Sequence, residues 1–357
     1  MLHPRVATPR ISGLEVLRGY AAVAVILLHT EALGFHFHAG ITQSVISAIG
    51  ACGVPLFFAL SAFSLLYGYG SRIFDDRTAL RFYTRRAFRI CPLFYAMIVA
   101  WILFGRKVTW PEIALNLTFL FPHEGKSIVF AGWSLAIEWV FYWTFPIFAL
   151  LARSASASTI TFVTFVIVNL ATRQVMPELG FSSSQVRQSV FRNLVFFQTG
   201  VLAFRLRGLY EHRLPKARAA AIVVACVVVP ALMAALTRAT PSDMVIVAVC
   251  GVVLACAFSG LPHWIDNAVS GYMGRVSYSL YLLHPLIILL LDLAGVYGYV
   301  KATFGSLHLG LIVSCLLTVG VTAAAAWVTY HVIEAPAIAF GDRLLTRSPR
   351  AAVREQW

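Results

Sequence analysis

The chain has 357 residues, 59% of them hydrophobic and only 12% charged, with a mean hydropathy of +0.80. Soluble domains carry about 25% charged residues, so this composition excludes an ordinary soluble enzyme. It reads as an all-α polytopic membrane protein with room for about ten spans of ~20 residues. The formal net charge is +13, but the basic residues cluster in connectors beside apolar runs. That pattern speaks for topology signals and anionic headgroups rather than nucleic acid.

Residues 1–13 form a short tail with Arg5 and Arg10. The first apolar run, 14–34, is too long for the core of a signal peptide, and no small-residue cleavage site follows it. It is expected to stay as a signal anchor. It carries Glu15, Arg18 and His29. Ionisable groups within a span are costly and are therefore functional candidates. Arg18 and His29 are 11 residues apart. At ~100° per residue both leave one face of the helix, about 16 Å apart along its axis. A cation near one end and a titratable base well up the same face suit a long ligand, anionic at one end and reactive at the other. The plainer alternative is an arginine that snorkels to the interface and a histidine satisfied inside the bundle.

The loop 35–44 contains His36 and His38. Two histidines at i, i+2 lack the third and fourth ligands of a metal site, so no metal is expected. A second span covers about 45–69. The connector 70–90 carries Arg72, Arg77, Arg81, Arg85, Arg86 and Arg89 and is cytoplasmic by the positive-inside rule. Span three starts at Cys91 and ends near 105. The apolar piece 111–122 is too short to cross and reads as interfacial on the outer side.

Span four is about 132–152 and includes Ser134, Glu138 and Tyr142. Span five is about 158–172, followed by a polar outer loop at 173–187, and span six is about 188–204. A second basic connector, 205–218, leads into spans at 218–237, 243–260, 272–295 and 307–331. The basic tail 341–357 follows the membrane domain, 14–340. With the N-terminus inside, ten spans place all three basic stretches on the cytoplasmic side. Cys52, Cys91, Cys226, Cys250, Cys256 and Cys315 form no metal-ligand spacing and read as packing residues.

Span counting gives depth. His29 lies about five residues from the outer end of span one and Glu138 about six from the outer end of span four. Two groups at one depth suggest an imidazole–carboxylate pair, the arrangement that orients a general base. A protonated, hydrogen-bonded Glu138 is the structural alternative. Ser134 and Tyr142 flank Glu138 at i−4 and i+4 on one face and extend the network. Arg86 and Arg89, at i, i+3 beside Pro92, make either a phosphate clamp or a topology anchor. In GRVSYSLYLLHP, Tyr278, Tyr281 and His284 share roughly one face. A structural role is open for His284 and for Glu334 in VIEAP.

The ordered set LRGYAAVAVILLH, VPLFFALSAFSLL, RRAFRI, WSLAIEWVFYWTFP, GRVSYSLYLLHP and IEAP resembles the acyltransferase 3 family of integral membrane O-acyltransferases. The resemblance covers about 14–336. It implies a ten-helix bundle that takes an acyl group, usually acetyl, from cytoplasmic acyl-CoA to a hydroxyl of an exopolysaccharide, lipopolysaccharide or similar glycan at the bacterial inner membrane. The family's intramembrane arginine and histidine fall on Arg18 and His29, its arginine pair on Arg86 and Arg89, and its WSL-x-x-E motif on Trp133, Ser134, Leu135 and Glu138. Two positions depart from the pattern. The usual Ser-Gly-Phe is Ser61-Ala62-Phe63, and Leu283 replaces the common tryptophan before His284.

The residues then suggest a route for acetyl-CoA. Arg86, Arg89 and Arg18 hold its phosphates, and its thioester reaches His29. His29, oriented by Glu138, deprotonates the acceptor hydroxyl. A small secreted metabolite is the alternative acceptor. A proton-coupled secondary transporter is the rival class, since it too uses intramembrane His, Glu and Arg.

Overall fold

A computed structural model describes residues 12–37, 40–121, 126–211 and 213–347, and every regular element among them is helical. Helix α1 (Ser12–His29) is carried on by a π-helical turn, Thr30–Phe35, to make a span of 24 residues. His29 is the last α-helical residue before that turn. Helices α2 (Gly40–Ala51) and α3 (Gly53–Gly68) together form one span of 29 residues, interrupted at Cys52. The break sits where α3 meets α1: a Cβ on Gly53 would stand 2.5 Å from Val25 Cγ2 and 2.9 Å from the Ala21 carbonyl oxygen.

The basic connector expected at 70–90 is mostly helix. The Asp75 side chain accepts from the Thr78 N–H at 2.9 Å and so caps α4 (Asp76–Leu103), the usual role of aspartate at a helix start. The cationic stretch is thereby fused to span three as one rigid element of 28 residues. Helix α5 (Trp110–Leu117) opens on a Thr109–Glu112 capping box. Its eight residues rise about 12 Å, too little to cross a bilayer.

The remaining helices are α6 (Gly132–Leu151), α7 (Ala155–Glu178), α8 (Ser183–Arg187), α9 (Val190–Leu206), α10 (Lys216–Thr237) and α11 (Asp243–Ser259). Helices α12 (Ala268–Arg275) and α13 (Ser277–Leu293) form one apolar segment bent by 75°. After α14 (Val296–Thr303), helix α15 (Leu307–Thr329) runs through a second π-helical turn, Tyr330–Glu334, into α16 (Ala335–Arg347). Seven of these segments are long and apolar enough to cross a membrane, and the bent pair makes an eighth. The expected spans at 188–204 and 243–260 are α9 and α11, each 17 residues long, at the short end of what crosses. Ten is therefore an approximate count.

Half of the apolar window of α1 and of α6 is buried inside the bundle, against 17% for α7 and 22% for α10. α1 and α6 are thus central, while α7 and α10 present residues such as Ile167 and Leu232 outward, as a lipid-facing surface requires. Small residues permit close helix crossings. A Cβ on Gly19 would lie 2.8 Å from the Gly274 nitrogen, and one on Gly274 would collide with the Glu15 carbonyl oxygen. Only glycines let α1 and α12 meet backbone to backbone, and that contact fixes the height of Arg18.

The domain boundary expected at 340 falls inside α16. This helix packs on α4, with the Phe88 and Phe340 rings 5.6 Å apart and Arg85 Nε donating to Asp342 Oδ1 at 2.7 Å. The N-terminal tail as far as residue 11, His38 and the end of the basic tail from residue 348 lie outside the described residues.

Candidate active site

Three arginines converge on one cavity of about 70 Å³, the volume of a few water molecules. Arg18 comes from α1, and Arg86 and Arg89, one turn apart, come from α4. Ser134, Glu138 and Tyr142 enter from α6, Ser61 from α3 and Tyr281 from α13. The i−4, i, i+4 spacing of the α6 residues puts them on one face, and that face is the one turned to the arginines.

Glu138 is held on one oxygen. Its Oε1 accepts from Tyr142 OH at 2.5 Å and from Ser61 Oγ at 2.8 Å. Ser61 is the site residue that sequence reasoning left without a role. A hydroxyl inside an otherwise apolar span was the available signal. The Arg86 guanidinium lies over the Tyr142 ring, 5.7 Å from its centroid. None of the three arginines forms a salt bridge among the described residues, and Arg86 Nε is buried without a hydrogen-bond partner. Two or more guanidiniums so placed are under-compensated, which is the condition for binding an anion with several acceptor oxygens.

The expected His29–Glu138 pair is not what the structure forms. His29 Nδ1 lies 2.7 Å from Nε2 of His284, while Glu138 belongs to the arginine cavity. The physical reason is axial register. Span counting fixes depth only to a turn or two, because the chain between α5 and α6 and the packing of each helix set its height. Ser134, one turn before Glu138 on α6, is the α6 residue that reaches toward the histidines. Its Oγ is 2.8 Å from Tyr281 OH, and the Tyr281 carbonyl accepts from His284 Nδ1 at 2.5 Å. A chain of contacts therefore runs from the cavity wall through Tyr281 and His284 to His29. The Phe130 and His29 rings are nearly perpendicular with centres 5.4 Å apart, and His284 is fully buried.

The other candidates near this core are structural in their contacts. Tyr278 OH donates to the Ile90 carbonyl at 2.6 Å, tying α13 to α4. Ser279 Oγ donates to Glu334 Oε2 at 2.9 Å, tying α13 to the second π-helical turn.

Half-buried arginines lining a cavity, joined by a chain of contacts to half-buried His29 and fully buried His284, form an arrangement suited to an anionic ligand and to proton transfer. The family comparison gives that site its chemistry: residues 11–330 match the acyltransferase domain of the acyltransferase 3 family, and the chain belongs to that family. An acyltransferase domain speaks for an enzyme rather than a carrier. The chain is 27% identical over 386 aligned positions to the Bacillus subtilis (strain 168) protein named "Putative peptidoglycan O-acetyltransferase YrhL", covering 94% of this chain. It spans 56% of that relative's length. It is 28% identical to acyltransferase MdmB of Streptomyces mycarofaciens, over 80% of each chain. No solved structure matches it.

Proposed function

We propose that the protein transfers an acyl group, acetyl in the first instance, from acyl-CoA to a hydroxyl of a bacterial cell-surface or exported glycan. It would sit in the inner membrane with both termini and the basic stretches on the cytoplasmic side. The observation that carries this reading is the buried, unpaired Arg86 Nε beside two further guanidiniums, in a chain of an acyltransferase family. Phosphate oxygens of CoA satisfy such a cluster with bidentate, charge-assisted hydrogen bonds.

In this reading the pantetheine arm runs from the cavity along α1, past Tyr281, and its thioester ends beside His29, about 16 Å along the helix from Arg18. The acceptor hydroxyl attacks the thioester carbonyl carbon while His29 takes its proton. The C–O bond forms and the C–S bond breaks. His29 then returns the proton to the departing sulfur, so the products are ester and CoA thiol. Glu138, fixed by Ser61 and Tyr142, serves the arginine cavity as a counter-charge and not the imidazole as an orienter.

The test is purified protein in lipid nanodiscs with acetyl-CoA and glycan fragments, following free CoA thiol and acetylated product. Acceptor-dependent release of thiol that is lost on changing Arg86 and Arg89 to alanine is the expected result. Absence of any acceptor-dependent release across glycan classes counts against the reading.

A further inference from the structure

We propose that His284 is a positioning residue that fixes the tautomer of His29 and carries part of the charge when His29 is protonated; this rests on the acyl-transfer reading above. His284 Nδ1 lies 2.5 Å from the backbone oxygen of Tyr281. A carbonyl only accepts, so Nδ1 carries the hydrogen. In a neutral imidazole the other nitrogen is then a bare acceptor. That nitrogen, Nε2, is 2.7 Å from His29 Nδ1, so His29 Nδ1 must donate. The hydrogen of neutral His29 is thereby committed to the His284 side, and its Nε2 is left with the lone pair.

The ring geometry agrees. The two planes are 10° apart with centres 5.0 Å apart. That separation is close to the largest a 2.7 Å nitrogen–nitrogen contact allows, so the rings lie edge to edge, with donor hydrogen and acceptor lone pair both in plane. A backbone carbonyl on α13 thus dictates which nitrogen on α1 is basic. Pro285 follows His284 within α13, and the 75° bend before α13 sets the direction from which the ring arrives.

The consequence for the reaction is a two-ring proton store. When the acceptor hydroxyl gives its proton to His29 Nε2, the Nδ1–H bond to His284 becomes charge-assisted. Moving that hydrogen onto His284 Nε2 places the cation on the second ring, whose Nδ1–H already points at the Tyr281 oxygen. Reversal of the shift returns the hydrogen to His29 Nδ1 and the positive charge to that ring, whose Nε2 then gives the acceptor's proton to the thiolate of CoA. No group outside the chain of Tyr281, His284 and His29 is needed to hold the charge.

Two measurements test this. The first compares kcat and KM of His284→Gln, His284→Asn and His284→Leu. Glutamine places an amide oxygen where Nε2 stood and keeps an acceptor for His29; asparagine is too short to reach. We expect kcat to fall about 100-fold in the leucine and asparagine variants, the scale on which a group orienting a reactive ligand acts. It should recover at least tenfold in the glutamine variant, with KM for acetyl-CoA unchanged throughout. Equal kcat in the glutamine and asparagine variants, or near-normal kcat in the leucine variant, overturns the proposal.

The second measurement is the ¹⁵N spectrum of the full chain in lipid with labelled histidine, assigned by loss of signals in His29→Gln and His284→Gln. It needs no turnover, so its outcome is independent of the identity of donor and acceptor. The expected result is a protonated Nδ1 and bare Nε2 on both rings. A hydrogen on His29 Nε2 in the neutral ring contradicts the proposal.

Discussion

The His29 ring is bonded to His284, Nδ1 to Nε2 at 2.7 Å, while the carboxylate expected to orient it, Glu138, is bonded to Ser61 and Tyr142 instead. The site is therefore two connected parts. One is a cationic cavity with its own acidic counter-charge, and the other is an imidazole pair. Tyr281 belongs to both, since it lines the cavity and its carbonyl holds His284.

This division makes a prediction about energetic coupling. Residues that act as one unit show strongly non-additive losses. In a mutant cycle on the acyl-transfer rate, His29→Ala and His284→Leu together should cost little more than His29→Ala alone. Partial losses from His284→Gln and Glu138→Gln should multiply, because the two side chains sit in different parts of the site.

Replacing His29 itself should be severe. His29→Ala is expected to lower the transfer rate by about 10²–10⁴-fold, the range a general base supplies. The protein should still insert and elute as the wild type does, since the change removes one ring at a helix end. Transfer assays on size-checked protein read this directly.

The arginine cavity should be read by binding rather than rate. Arg86→Ala is expected to weaken CoA by roughly 10- to 100-fold, from about 1.5–3 kcal/mol for a hydrogen bond to a charged group. Arg86→Lys should recover little, because an ammonium cannot form the bidentate fork. Calorimetry with CoA against dephospho-CoA, for Arg86 and Arg89 variants in turn, shows which phosphate each guanidinium holds.

Stability should depend on a buried pair that does not line the cavity. Arg192 bonds Asp243 through two nitrogens, at 2.7 and 2.6 Å, and Asn169 donates to the same carboxylate at 2.9 Å. The Asp243 side chain is 2% exposed and that of Arg192 17%. Removing one partner strands the other charge, at a cost of about 3–5 kcal/mol. Arg192→Ala should lower the melting temperature in detergent markedly, while any surviving protein keeps its affinity for CoA.

The helix positions were legible in the sequence because hydropathy is a local property. The shared face of Arg18 and His29, and that of Arg86 and Arg89, followed from helix geometry alone. What was not legible is relative height. Glu138 sits beside Arg86 and not beside His29 because of how α6 is set against its neighbours. That register depends on contacts such as Gly19 against Gly274 and on the bend before α13. Neither leaves a periodic trace. Ser61 was passed over for the same reason: its partner is 77 residues away in the chain. The extension of α15 into α16 was hidden by Pro336, which sits at the start of α16, where the π-helical turn ends and proline is tolerated.

The central claim is that this chain acetylates a surface or exported glycan through His29, and mass spectrometry of those glycans tests it most directly. Cells with the wild-type gene, without it, and with His29→Ala at matched membrane levels are to be compared. The account predicts an acetyl-sized mass on the glycan in the first strain alone. Glycans of identical acetylation in the wild-type and His29→Ala strains would contradict it.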